Sequence, residues 1–181
     1  MVHNFDLEEY EENEFPFAYL LTFRTYGTWL HGDNRLSVGR NRNNKFGEPR
    51  IQPSVPLQEE MESKKHQPAV FLDENLRRLI AEAISEVCEH RNYLVQALNV
   101  RTNHVHSVIS AAIKPEKIVN DLKAYSTRRL RREWLIGRDE KVWSRGASTR
   151  YLWKPRHVTA AIDYVLYCQE DIPFEFNESS F

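Results

Sequence analysis

Cysteine is scarce in this sequence, with Cys88 and Cys168 the only two among 181 residues. They stand at no metal-ligand spacing and suggest no disulfide framework. Long apolar runs are lacking too, which excludes a membrane-spanning helix and points to no membrane partner. The N-terminus is acidic where a secretory leader would be basic, so the expected location is cytoplasmic. No internal repeat is present.

Net charge is also nearly absent, at -1, but its distribution is uneven. Between Lys117 and Arg156 there are twelve Lys and Arg against four Asp and Glu, so this stretch carries +8 and the remainder -9. Such an asymmetry is the footprint of a polyanion-binding face within a globally neutral protein. The bland alternative is a solvated helix surface.

Hydrophobic residues make up 41% of the chain, enough for a proper core, and the length suits one domain. Residues 1–14, holding Asp6, Glu8, Glu9, Glu11, Glu12 and Glu14, read as a flexible acidic leader. Residues 15–172 read as the domain and 173–181 as a tail. Within the domain, residues 31–68 are polar and aperiodic, as in a long loop.

Residues 17–23 are aromatic and aliphatic throughout, as in a buried strand. Asp73 caps a helix in which Leu76, Leu79, Ile80, Ala83, Ile84 and Val87 recur at helical spacing to about Glu89. Residues 93–100 and 104–111 read as strands joined by a tight turn at 101–103. A helix starts near Pro115, a residue suited to a first turn. Val119, Leu122, Leu130 and Trp134 fall on its core side, and Lys117, Arg128, Arg131 and Arg132 on the other. Residues 151–153 read as a short strand, and Thr159 opens a last helix with Ala161, Ile162, Val165 and Leu166. The order β-α-β-β-α-β-α describes an α+β fold, a ferredoxin-like βαββαβ sandwich with an antiparallel sheet and an added C-terminal helix.

His104-Val105-His106 is the most informative tripeptide. On a strand, residues two apart share a face, so both imidazoles project together while Val105 packs into the core. Neutral imidazole is a ready ligand for divalent metals. The pair follows a tight turn, sits on an apolar strand and is succeeded by a basic helix.

With these residues the chain resembles the single-tyrosine HUH transposases, including the REP-associated ones. Residues 102–109, Thr-Asn-His-Val-His-Ser-Val-Ile, resemble the family's His-hydrophobic-His strand. Residues 122–130 resemble its Lys-x-x-(Ser/Thr)-x-Arg helix, Val142-Trp143-Ser144-Arg145 its Trp-containing connection, and residues 163–169 its final helix. Residues 22–33, Thr-Phe-Arg-Thr-Tyr-Gly-Thr-Trp-Leu-His-Gly-Asp, are similar to a signature of one branch.

The resemblance implies nicking and strand transfer on single-stranded or hairpin DNA through a 5′-phosphotyrosine, with Mg²⁺ or Mn²⁺ as cofactor. It makes Tyr164 the nucleophile, with Tyr167 the runner-up, and His104 and His106 metal ligands. Relatives place a Gln or Asn four residues after the nucleophile. Here that position is Cys168, a poor ligand for a hard cation, which leaves Gln169 as the third-ligand candidate. A homodimer is compatible with this reading. Lys123, Arg128, Arg129, Arg132 and Arg24 are candidate phosphate contacts, and Trp143, Trp153 and Tyr125 candidate stacking partners for bases. Arg24 belongs to a polar-aromatic cluster with Tyr26, Trp29, His31 and Asp33.

Three other readings compete with this one. A histidine-triad hydrolase needs a third histidine at position 108, which is Val108. An RNA-binding module needs exposed aromatics on its central strands, and residues 93–100 offer only Tyr93. A domesticated, catalytically weak protein that binds hairpin DNA is the alternative that the imperfect third-ligand position supports.

Overall fold

The computed structural model describes residues 14–33 and 51–168. The elements are β1 (Ala18–Arg24), α1 (Val55–Ser63), α2 (Glu74–Arg91), β2 (Leu94–Val100), β3 (His104–Ser110), α3 (Pro115–Arg132), β4 (Ser148–Leu152) and α4 (Pro155–Tyr167). The strands form one antiparallel sheet in the order β2-β3-β1-β4. Two crossings, each carried by helix, return the chain to this sheet, giving the α+β sandwich expected of the element order.

Alternation along the strands divides the core in two. Tyr19, Leu21, Phe23, Val105 and Ile109 pack beneath α2 and α3 with Ile80, Ile84, Ile118, Leu122 and Leu130. Ala18, Leu20, Ala97, Val108 and Leu152 face the other way and are covered by Val158, Ala161 and Val165 of α4. The sheet is buried on both faces, which explains why β1 reads as a continuous apolar run. Helix α2 starts as its sequence directs, with the Asp73 carboxylate accepting from the Leu76 amide at 2.8 Å. It ends at Asn92, in left-handed conformation at φ 56°, as a C-terminal cap requires.

Three local expectations need correction. The stretch 31–68 is not wholly loop, because Val55–Ser63 is helical; Ser54 caps it and Pro56 occupies its first turn. The Ser54 amide also donates to the Gly32 carbonyl at 2.9 Å. Gly32 has φ +90°, and a Cβ there would stand 2.5 Å from the Ser54 carbonyl oxygen, so only glycine permits this approach. Residues 34–50 of that stretch, residues 1–13 of the leader and the 173–181 tail lie outside the described residues.

Helix α4 begins at Pro155 rather than Thr159, since proline's missing N–H and fixed φ suit the first helical turn. Trp134 is not a core residue. The α3 helix stops at Arg132, and Trp134 adopts φ 58° with 90% of its surface exposed. Helical periodicity ceases to place a side chain once the helix has ended.

Candidate functional site

The hairpin turn that delivers the histidine pair is fixed from two sides. The Thr25 amide donates to the Asn103 carbonyl at 2.9 Å, and the Leu72 amide donates to the Thr102 carbonyl at 2.6 Å. The Thr25 hydroxyl also donates to the Asn103 carbonyl at 3.0 Å, and Thr28 donates to the Thr25 carbonyl at 3.1 Å. These bonds tie residues 25–28 to the turn, so β3 opens in a defined place.

From there alternation does the rest. His104 and His106 lie on the α4 face of the sheet with their rings edge-on, centroids 4.4 Å apart. Val105 is fully buried on the opposite face. His104 is 5% exposed and His106 half-buried. Each imidazole is held at Nδ1. His104 Nδ1 lies 2.6 Å from Asn103 Oδ1, and His106 Nδ1 lies 2.7 Å from the Thr22 hydroxyl. A neutral imidazole whose Nδ1–H donates to such an oxygen keeps its lone pair on Nε2, the arrangement by which metal-binding histidines are oriented.

Tyr164 arrives from the other side. The apolar stripe Val158, Ala161 and Val165 seats α4 on the sheet, which brings the last turn over the start of β3. The Tyr164 ring meets His106 edge-on, centroids 5.3 Å apart. Tyr167, one turn later, is 72% exposed. The structure therefore brings together His104, His106 and Tyr164 and leaves Tyr167 outside that cluster.

Among the described residues no group of three His, Cys, Asp or Glu is placed to hold a metal ion. Gln169 lies outside the described residues, and Cys168 is exposed. The two imidazoles with oriented Nδ1 atoms suit a divalent ion that takes its remaining ligands from substrate oxygens, water or a further side chain.

The basic candidates are dispersed. Arg24 pairs with His104 across the β1–β3 ladder, and so shares its face. Its guanidinium stacks 3.3 Å over the Trp29 ring. Tyr26 accepts at its hydroxyl from the His66 amide at 3.1 Å. Lys123, Tyr125, Arg128, Arg129 and Arg132 lie on α3, which covers the opposite face of the sheet.

Lys123 donates to the Ser144 carbonyl at 2.9 Å and to the Gly146 carbonyl, which holds the connection after α3 in place. Burial lowers its pKa to about 8. Arg129 reaches Glu86 at 2.9 Å, Glu133 at 3.3 Å and Glu82 at 3.4 Å, so it serves the α2–α3 seam. Arg128 is exposed, with its guanidinium 4.2 Å over the Tyr125 ring, and Arg132 is exposed too. Trp143 packs edge-on against Phe23, centroids 4.9 Å apart, and adjoins the core. Trp153 stacks near Tyr151, centroids 6.2 Å apart.

Thr22 and Asn99 escaped sequence reasoning. Their signal is a polar side chain on the α4 face of a strand, legible only once that face is known. Thr22 and Asn99 both pair with His106 across their ladders.

No curated protein matches the chain. Solved structures similar to it include a REP-associated tyrosine transposase bound to a REP hairpin, at 12% identity and a TM-score of 0.47, covering 82% of this chain and 63% of that one. Another is a candidate transposase from Deinococcus radiodurans R1, at 13% identity and a TM-score of 0.44, covering 84% of this chain and 89% of that one. The chain thus spans less than two thirds of the first relative's length. The family described as transposase IS200-like matches residues 62–165, more than half of the sequence, and the chain belongs to that family.

Proposed function

We propose that this protein cleaves and rejoins single-stranded or hairpin DNA through a covalent 5′-phosphotyrosine at Tyr164. The observation that carries the reading is the Tyr164 ring against His106, whose partner His104 shares its face.

In this mechanism the Tyr164 oxygen attacks phosphorus and its proton passes to solvent. The bond from phosphorus to the 3′ oxygen breaks, and that oxygen departs and is protonated. A later 3′-hydroxyl reverses the exchange, so no external energy source is consumed. Tyrosine ionises near ~10, so the step needs charge stabilisation at the phosphate. Mg²⁺ or Mn²⁺ held by His104 and His106 would supply it by polarising the phosphate. Asn103 and Thr22 orient the two imidazoles, and Arg24, braced on Trp29, offers a cation on the same face for the DNA backbone. Arg128 and Arg132, on the outer side of α3, offer further phosphate contacts for a duplex stem.

The test is incubation of the protein with single-stranded and hairpin DNA and Mn²⁺, followed by denaturing electrophoresis. A protein–DNA adduct that requires Tyr164 supports the reading. Binding without adduct or cleavage favours the domesticated DNA-binding alternative, for which the exposed Cys168 four residues after Tyr164 speaks.

A further inference from the structure

Asn99 lies opposite His106 across the β2–β3 ladder, and its side-chain amide donates to the backbone carbonyl of Val165 at 2.9 Å. Val165 follows Tyr164 directly. It sits in the last turn of α4, where helix carbonyls run out of partners from their own ladder. Among the described residues, the last backbone bond of this helix runs from the Cys168 amide to the Tyr164 carbonyl at 3.2 Å. The next carbonyl along the chain is the one that Asn99 takes.

Apolar contacts also hold α4, through Val158, Ala161 and Val165 against Ala18, Leu20, Ala97, Val108 and Leu152. Apolar burial is strong but non-directional, and it leaves the helix some freedom to turn or slide. A directional bond one residue from Tyr164 removes that freedom at the end where the hydroxyl must be aimed. His106 is fixed by Thr22 in the same cross-strand row. One row of the sheet therefore sets both the imidazole and the helix turn that presents the tyrosine.

We propose that Asn99 is a positioning residue, which clamps the last turn of α4 so that Tyr164 faces His106. Its consequence for chemistry rests on Tyr164 being the nucleophile, but the clamp itself is measurable without any reaction. Asn99→Leu keeps the branched shape at Cγ, adds no charge near the histidines and removes the donor. The full chain carrying 3-fluorotyrosine, with the Tyr164 resonance assigned by its loss in Tyr164→Phe, reports the ring's surroundings.

In Asn99→Leu the Tyr164 resonance should move toward its position in the denatured chain. The rate of adduct formation should fall on the order of ten- to a hundredfold, as small misplacements of a reacting group do, with hairpin affinity unchanged. An unmoved resonance and a parental adduct rate per folded molecule, even with a lowered melting temperature, overturn the clamp. If the parent forms no adduct, the nucleophile reading fails while the resonance still decides the clamp. If Asn99→Leu does not fold, the unaltered protein answers through the Asn99 side-chain amide. One slowly exchanging proton supports the clamp, and rapid exchange of both overturns it.

Discussion

Tyr164 and His106 meet edge-on with ring centroids 5.3 Å apart, although they belong to a helix and a strand far apart in sequence. Tyr167 points outward at 72% exposure. If this contact marks the reacting pair, Tyr164→Phe should abolish the denaturant-resistant DNA adduct and leave hairpin affinity within about twofold, since one hydroxyl is lost and the ring stays. Tyr167→Phe should behave as the parent. An adduct that survives in Tyr164→Phe and vanishes in Tyr167→Phe would reverse the assignment.

The bond from Thr22 to His106 Nδ1, at 2.7 Å, predicts a graded response at the histidines. If His106 holds the proposed ion, His106→Ala should reduce cleavage by orders of magnitude. Thr22→Val keeps the shape of the side chain but loses its hydroxyl, which should weaken Mn²⁺ binding by about ten- to a hundredfold. Calorimetry with Mn²⁺ in the presence of hairpin DNA checks both. Parental affinity in Thr22→Val would mean that the hydroxyl does not orient the ring.

Arg129 and its neighbours on α3 should separate stability from DNA binding. With three carboxylates around its half-buried side chain, Arg129→Met should cost about 1–2 kcal/mol in urea unfolding. Its DNA affinity should stay near that of the parent. Arg128→Ala with Arg132→Ala should do the opposite, flattening the dependence of affinity on salt because fewer counterions are released. Equal loss of DNA affinity in both variants, with stability unchanged, would refute this division.

Lys123 carries a pH prediction. Its pKa is lowered by burial to about 8, against ~10.4 for an exposed lysine. Between those values the unfolded chain binds a proton that the folded chain has released, so this group makes stability rise with pH across that window. Below it both states are charged and the cost of burying the charge is complete. Cys88 and Tyr93, raised by burial to about 11 and about 12, act in the opposite sense. The difference between the parent and Lys123→Met isolates the lysine. Urea midpoints at several pH values between ~7.5 and ~9.5 should show the parent gaining on the variant. A constant gap would show that Lys123 titrates normally.

Local rules of the chain determined a good deal by themselves. The Asp73 cap and its apolar spacing specified α2, Pro115 the start of α3, and strand alternation put His104 and His106 on one face with Val105 behind them. These are properties of neighbours in sequence, set by backbone geometry and burial period. Pro155 held the same kind of information for α4, and the helix begins there.

Tertiary structure decided what each polar side chain meets. Lys123, Arg128, Arg129 and Arg132 look alike in the sequence. Packing of α2 against α3 surrounds Arg129 with carboxylates, and the connection after α3 encloses Lys123, while Arg128 and Arg132 stay exposed. The sheet order places Thr22 and Asn99 on either side of His106, and α4 crosses that face so that Tyr164 rather than Tyr167 reaches it. A helix or strand pattern states which face is apolar, but the partner of a polar group is chosen by ladder register and by the angle at which a distant helix docks. Those depend on the assembled core, because burial there is cooperative and no short stretch contains it.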